Sequence, residues 1–190
     1  DANGDGKINR TDLSVIDQNW SSKGDSLLSA PNQSRVYPLS IETVEAVTGK
    51  PLRLQLSVGQ SHDPVKQAYA VIIPLKVPIK DIDPASWSFE PAGNPLLGKK
   101  DSLLVFTKWE ADSNRLWLAI SRMDGEGANF GGVIGEVVFQ LGNTSITDEQ
   151  PFVVSSRNGQ LITVDGQRFG LNASEEKFIL APDIQLSEAE

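Results

Sequence analysis

From about residue 39 onward, apolar side chains recur at every second position, and that period of two constrains the fold more than any other feature of the chain. Leu52, Leu54, Leu56 and Val58 alternate with Arg53, Gln55 and Ser57. Val71, Ile73, Leu75, Val77 and Ile79 alternate with Ala70, Ile72, Pro74, Lys76 and Pro78. Successive side chains of a strand point to opposite faces, so each run turns one apolar face to a core and the other outward. Pro74 and Pro78 share a face and have no N–H to give a ladder, which predicts an edge strand or a bulged one. Residues 103–108 and 116–122 flank the polar turn 110–114 as a hairpin, and residues 133–141 form a strand entered through Gly131-Gly132. Near the end, residues 152–156, 161–164 and 167–171 are separated by Asn158-Gly159 and Asp165-Gly166. Both dipeptides suit a type I′ hairpin turn, whose two central residues need positive φ. Residues 177–180 add a further strand. Eight to ten strands divided by turns predict an all-β sandwich over residues 39–182.

The 190 residues leave room for one medium domain and a small appendage. Seventeen Lys and Arg stand against 25 Asp and Glu, a net charge of −8. No positive excess exists to release phosphate counterions, so no nucleic-acid partner is expected. Zero Cys removes disulfides, thiol catalysis and cysteine-bound metals. No apolar run approaches the roughly 20 residues of a membrane helix. Much of the acidity sits at the ends: residues 1–20 hold four acids and two bases, and residues 175–190 hold five acids and one base. Residues 21–38, rich in Ser and punctuated by Gly and Pro, read as a linker, and residues 183–190 as an acidic tail.

The first twelve residues have a different logic. Asp1, Asn3, Asp5, Asn9 and Asp12 stand at positions 1, 3, 5, 9 and 12 of a loop whose sharp turn falls on Gly6. Calcium takes six to eight oxygens at about 2.3–2.6 Å, and this spacing delivers them, with the carbonyl of Lys7 as one more ligand. Leu13, Ile16 and Trp20 then line one face of a short helix. The chain opens inside this motif and is expected to be part of a longer protein.

The run D-x-N-x-D-G-x-I-N-x-x-D-L followed by a short helix resembles the dockerin repeat, the calcium-binding half-module of cellulosome-type assemblies. The resemblance implies Asp1, Asn3, Asp5, Asn9 and Asp12 as side-chain ligands, and partner recognition through Arg10 and Thr11 with the helix surface near Asp17 and Gln18. Two such segments make a dockerin, and one is present here. The stretch 68–95, with Asp83-Pro84, and the segment 131–141 resemble cohesin strands. That second resemblance implies a nine-stranded jelly-roll sandwich that binds other protein modules.

Other constellations were weighed against simpler roles. His62, the only His, lies in the polar loop Gly59-Gln60-Ser61-His62-Asp63-Pro64, and no nucleophile elbow accompanies it. Glu90, Asp124, Glu126 and Glu136 offer carboxylates, yet among 25 acids some pair falls at any chosen spacing. Asp124-Gly125-Glu126-Gly127 with Asn129 reads as an exposed turn, or as a looser calcium site. Trp87, Trp109 and Trp117 suggest a sugar-stacking platform, although Trp117 lies in a run apolar on both faces. The expectation is a non-catalytic, calcium-stabilised assembly or adhesion module of a larger, secreted or cell-surface bacterial protein. Its partner would be a cohesin- or dockerin-type module, or the loop-helix would pack on its own sandwich. A carbohydrate-binding or accessory module of a polysaccharide-degrading enzyme and a structural spacer of a repetitive adhesin are the alternatives.

Overall fold

The computed structural model describes residues 35–47, 50–77, 82–92, 102–141 and 151–179, with the backbone alone at 82–85 and 141. The loop and helix expected over residues 1–20, the linker up to residue 34 and the tail 183–190 lie outside the described residues. In chain order the strands are β1 (Val36–Tyr37), β2 (Leu39–Glu45), β3 (Leu52–Val58), β4 (Val65–Lys76), β5 (Ile82–Pro91), β6 (Leu103–Glu110), β7 (Arg115–Arg122), β8 (Ala128–Phe130), β9 (Gly132–Leu141), β10 (Phe152–Ser156), β11 (Gln160–Thr163), β12 (Arg168–Leu171) and β13 (Ser174–Phe178). A 3₁₀ turn, Ala111–Ser113, joins β6 to β7.

Two sheets pack as a sandwich. The smaller runs β2-β3-β9-β5, antiparallel throughout. The larger is organised around β4. One edge of β4 pairs with β7 and then β8, and the other with β11 and β10. β6 extends the sheet beyond β7, β12 beyond β11, and β13 beyond β10. β1 pairs parallel to β12 and puts Tyr37 in the core, so the sandwich begins at Val36, inside the stretch read as linker. Two isolated residues show too little alternation to stand out from such a stretch. On one side, the Thr43 N–H of β2 donates to the Glu176 carboxylate of β13 at 3.1 Å, linking the two sheets.

The core holds the residues that alternation placed there. Leu52, Leu54, Leu56 and Val58 are fully buried, as are Ile73, Leu75, Leu116, Leu118 and Phe139. Each such side chain contributes about 1.5–3 kcal/mol when removed from water. Gly135 makes room for this packing. It lies opposite Leu56, and a Cβ there would stand 2.4 Å from the Glu90 carbonyl and 2.5 Å from the Phe89 ring.

Three turn and edge expectations change. Pro74 lies in a central strand. Val77 donates its N–H to Asn114 at 2.9 Å, which directs odd-numbered residues of this stretch to β7 and even-numbered ones to the far edge. There the ladder is broken between Leu75, opposite Ser156, and Ile72, opposite Gln160. Pro74 therefore faces a gap where no donor is needed. Asn158-Gly159 is that gap and not a hairpin: β10 and β11 both follow β4, and only Asn158 of the two residues has positive φ. Asp165-Gly166 does turn a hairpin, β11 to β12, but through a turn closed by Gly166 N–H to Thr163 at 2.9 Å, with Gly166 alone at positive φ. The hairpin of β6 and β7 and the strand entered through Gly131-Gly132 form as expected.

Replacing Gly135 with Ala is expected to destabilise the sandwich by about 2–3 kcal/mol, because backbone on the neighbouring strand has to move. Leu54→Ala should cost about 2–5 kcal/mol through the cavity it leaves. Urea unfolding followed by tryptophan fluorescence measures both.

Candidate functional site

The outward face of the larger sheet is built in rows by the register of its strands. Ala70, Ile72, Pro74 and Lys76 of β4, the even-numbered residues of β6 and the odd-numbered residues of β7 point away from the core, because their neighbours Val71, Ile73, Leu75, Leu116, Leu118 and Ile120 are buried in it. The pairing places Ala70, Ser121 and Leu104 in one row, and Ile72, Ala119 and Phe106 in the next. Pro74, Trp117 and Lys108 follow, and then Lys76, Arg115 and Glu110. The face thus grades from a half-buried apolar end to a charged end. Ile162 extends the apolar end across β11, with the cation Arg168 beyond it on β12, and Ser155 and Glu175 extend the charged end across β10 and β13.

At the charged end lies a depression of about 380 Å³ lined by Pro74, Lys76, Arg115, Trp117, Ser155, Arg157 and Asn158. Trp117 forms its floor and is 5% exposed, with the Arg115 guanidinium 5.5 Å from its ring centroid. The interrupted ladder at Asn158 and Gly159 is what brings Arg157 to this edge.

The two outward faces of the sandwich differ in sign. Lys76, Lys108, Arg115, Arg157, Arg168 and Lys177 stand on the larger sheet's face with Glu110 and Glu175. The smaller sheet presents Glu42, Glu90 and Glu136 around Arg53. Glu90 and Glu136 are directly opposite one another, and Arg53 joins both, at 2.9 Å from its Nε to Glu136. Glu136 first and Glu90 second hold the guanidinium above its ordinary pKa. Those two acids are therefore members of an ion-pair ladder.

The remaining candidates are dispersed. His62 is exposed in a tight loop where Asp63 donates its N–H to the Gln60 carbonyl at 3.1 Å. Trp87 and Trp109 pack against the core from opposite sheets, whereas Trp117 faces outward, so the three share no platform. Asp124 is engaged by Arg122 through two contacts, 2.9 Å and 2.5 Å, and accepts the Glu126 N–H at 3.0 Å. Asn129 accepts the Gln67 N–H at 3.2 Å. The Asp124 carboxylate is thus engaged within the turn and the Asn129 oxygen by β4, and among the described residues no group of three or more His, Cys, Asp or Glu side chains is placed to hold a metal. The expected ligands Asp1, Asn3, Asp5, Lys7, Asn9 and Asp12 and the recognition residues Arg10, Thr11, Asp17 and Gln18 lie outside the described residues. The outward face of the larger sheet was not picked out from sequence. The only signal for it was the pair of cations, Lys76 and Arg115, in strands whose pairing was unknown.

No family model and no curated protein matches the sequence. Solved structures do match the fold. The second type II cohesin module of the ScaA adaptor scaffoldin of Acetivibrio cellulolyticus, including its C-terminal linker, aligns with a TM-score of 0.55 at 11% identity, covering 82% of this chain and 96% of that one. The fold is that of a cohesin module. A chain of a type I cohesin–dockerin complex from Clostridium thermocellum aligns at 0.55 and 10% identity, covering 81% and 99%. The cohesin module of a family 33 glycoside hydrolase from Clostridium perfringens aligns at 0.52 and 13%, covering 79% and 100%. At such identities the likeness concerns the path of the backbone, while the side chains on this cohesin-type sandwich are its own.

Three carboxylates mark how its loops are held. Arg122 foremost, then the Glu126 N–H, keeps Asp124 below the ordinary carboxylate range, Thr163 foremost does so for Asp165, and Arg35 for Asp63. A folded-state pKa below the unfolded value stabilises the fold above the unfolded pKa, and that contribution is lost as pH falls through the folded one. Stability is therefore expected to hold from neutral pH to about pH 4–5 and to decline below it. Arg122→Gln should move the Asp124 midpoint up toward the ordinary range, as read by carboxyl carbon NMR titration.

Proposed function

We propose that this chain is a non-catalytic docking module that binds another protein, of dockerin type, through the outward face of its larger sheet. The observation that carries the reading is that face: half-buried apolar rows grade into charged rows on a sandwich of cohesin fold. A protein interface needs an apolar centre with a polar and charged rim, and the rows around Phe106, Ala119 and Ile72 supply the first beside the second. Two of the similar structures are cohesin–dockerin complexes, which supports the choice of partner class. The module belongs, on this reading, to an extracellular or cell-surface assembly.

The proposal includes a calcium loop at the start of the chain. Asp1, Asn3, Asp5, Asn9, Asp12 and the Lys7 carbonyl would hold the ion, and Arg10, Thr11, Asp17 and Gln18 would present a recognition surface of their own. Binding would make metal affinity part of the folding free energy of that segment. Calorimetric titration of the chain with Ca²⁺ should give a saturable heat, which Asp5→Ala combined with Asp12→Ala abolishes. Absence of heat in the parent chain would remove calcium from the proposal.

Docking is tested by titrating the chain into a panel of dockerin modules, with Ca²⁺ and with EDTA. At least one should bind in Ca²⁺ only, and Phe106→Ala should weaken it about tenfold or more, as expected for an anchor near an interface centre. Glu42→Arg, on the opposite sheet, should leave affinity unchanged. Binding that responds to Glu42 and ignores Phe106 would place the interface elsewhere.

A further inference from the structure

The register sets Lys76 and Arg115 directly opposite one another on adjacent strands, and Arg157 lines the same depression. Like charges at directly opposite positions oppose sheet pairing. Among the described residues none of these three cations is in an ion pair. The acids of the same sheet face lie in that row but serve other groups: Glu110 accepts the Ser113 hydroxyl at 3.1 Å, and Glu175 pairs with Lys177 at 3.2 Å. Three cations therefore surround a concavity of about 380 Å³ floored by Trp117 and Pro74, and their mutual repulsion is offset only in part, by the Trp117 ring beneath Arg115 and by Glu110 opposite it on β6.

We infer that this depression seats a carboxylate side chain of the docked protein, and that the partner surface is acidic. The inference rests on the docking reading and adds the partner's chemistry. A guanidinium fork binds a carboxylate through parallel hydrogen bonds, and an apolar floor excludes the water that would compete for them. The surroundings match a protein in particular. The next row of the face beyond Pro74 and Trp117 is Ile72, Ala119 and Phe106, which suits aliphatic side chains beside the acid. The opposite face, bearing Glu42, Glu90 and Glu136, would repel the same partner, so the sign of charge also selects which face docks.

The test follows the indole N–H of Trp117 and the Nε–H groups of Arg115 and Arg157 by NMR in the whole chain. The probes are a short peptide alternating Asp or Glu with Leu, its Asn/Gln counterpart, and an oligogalacturonate. The acidic peptide should shift all three signals, less so at high salt, and the amide peptide should not. Arg115→Gln with Arg157→Gln should weaken the acidic peptide about tenfold, the scale of one lost charged hydrogen-bonding group. Lys76→Glu should raise the melting temperature by about 1–3 °C through its new pairing with Arg115 while abolishing binding. Equal shifts with the amide peptide, or a stabilised Lys76→Glu chain that still binds, would overturn the inference. So would tighter binding of the oligogalacturonate, which would make the ligand an acidic sugar. If Phe106→Ala weakens dockerin binding and the arginine variants do not, docking stands and the carboxylate seat falls. If neither weakens it, the docking reading falls too.

Discussion

The larger sheet depends on one strand. β4 gives hydrogen bonds along both edges over its twelve residues, to β7 and β8 on one side and to β11 and β10 on the other. Every other lane of that sheet is placed through it, directly or through the strands beside it, with β1 reached last through β12 and β11. A strand in this position has to satisfy two rows of backbone groups and supply a face of the core at once. Its sequence does both: Val71, Ile73 and Leu75 enter the core, and Pro74 falls at the gap in the far ladder between β10 and β11. The break is consequential, because it turns Arg157 and Asn158 toward the outward face and opens the depression beside Trp117.

A single sandwich thereby carries two faces of different character. On the smaller sheet, Arg53 between Glu90 and Glu136 closes its charges on itself, a ladder that serves the sheet. On the larger sheet Lys76 and Arg115 stand opposite one another with Arg157 beside them, none of the three in an ion pair among the described residues, and apolar rows lie alongside. A sheet optimised for stability alone would exchange one of those cations for an acid. Arrangements that weaken the fold locally are characteristic of sites where a partner completes the interactions.

Much of the fold was legible because burial in a sandwich is written with a period of two. The runs at 52–58 and 71–77 name their inward residues without any knowledge of pairing, and the hairpin at 103–122 is announced by its polar turn. Turn chemistry was less informative. Asn158-Gly159 carries the signature of a two-residue hairpin, yet the chain there continues along the same edge of β4, since long-range pairing with a central strand outweighs a local preference. Val36 and Tyr37 were absorbed into a polar stretch because two residues cannot show a period. The calcium-type spacing of residues 1–12 is read from sequence alone, as it is in any loop whose ligands are neighbours in the chain.

The sequence by itself determined that this chain is a β-sandwich, which side chains enter its core, and that its opening residues have a calcium loop's spacing. Each of these is a local pattern, set by side-chain alternation or by short-range ligand spacing. Tertiary structure alone decided that Lys76, Arg115 and Arg157, spread over more than eighty residues, converge on one depression beside a buried Trp117. That juxtaposition depends on strand order and register. Both are fixed by backbone hydrogen bonding between distant segments, which no local pattern encodes.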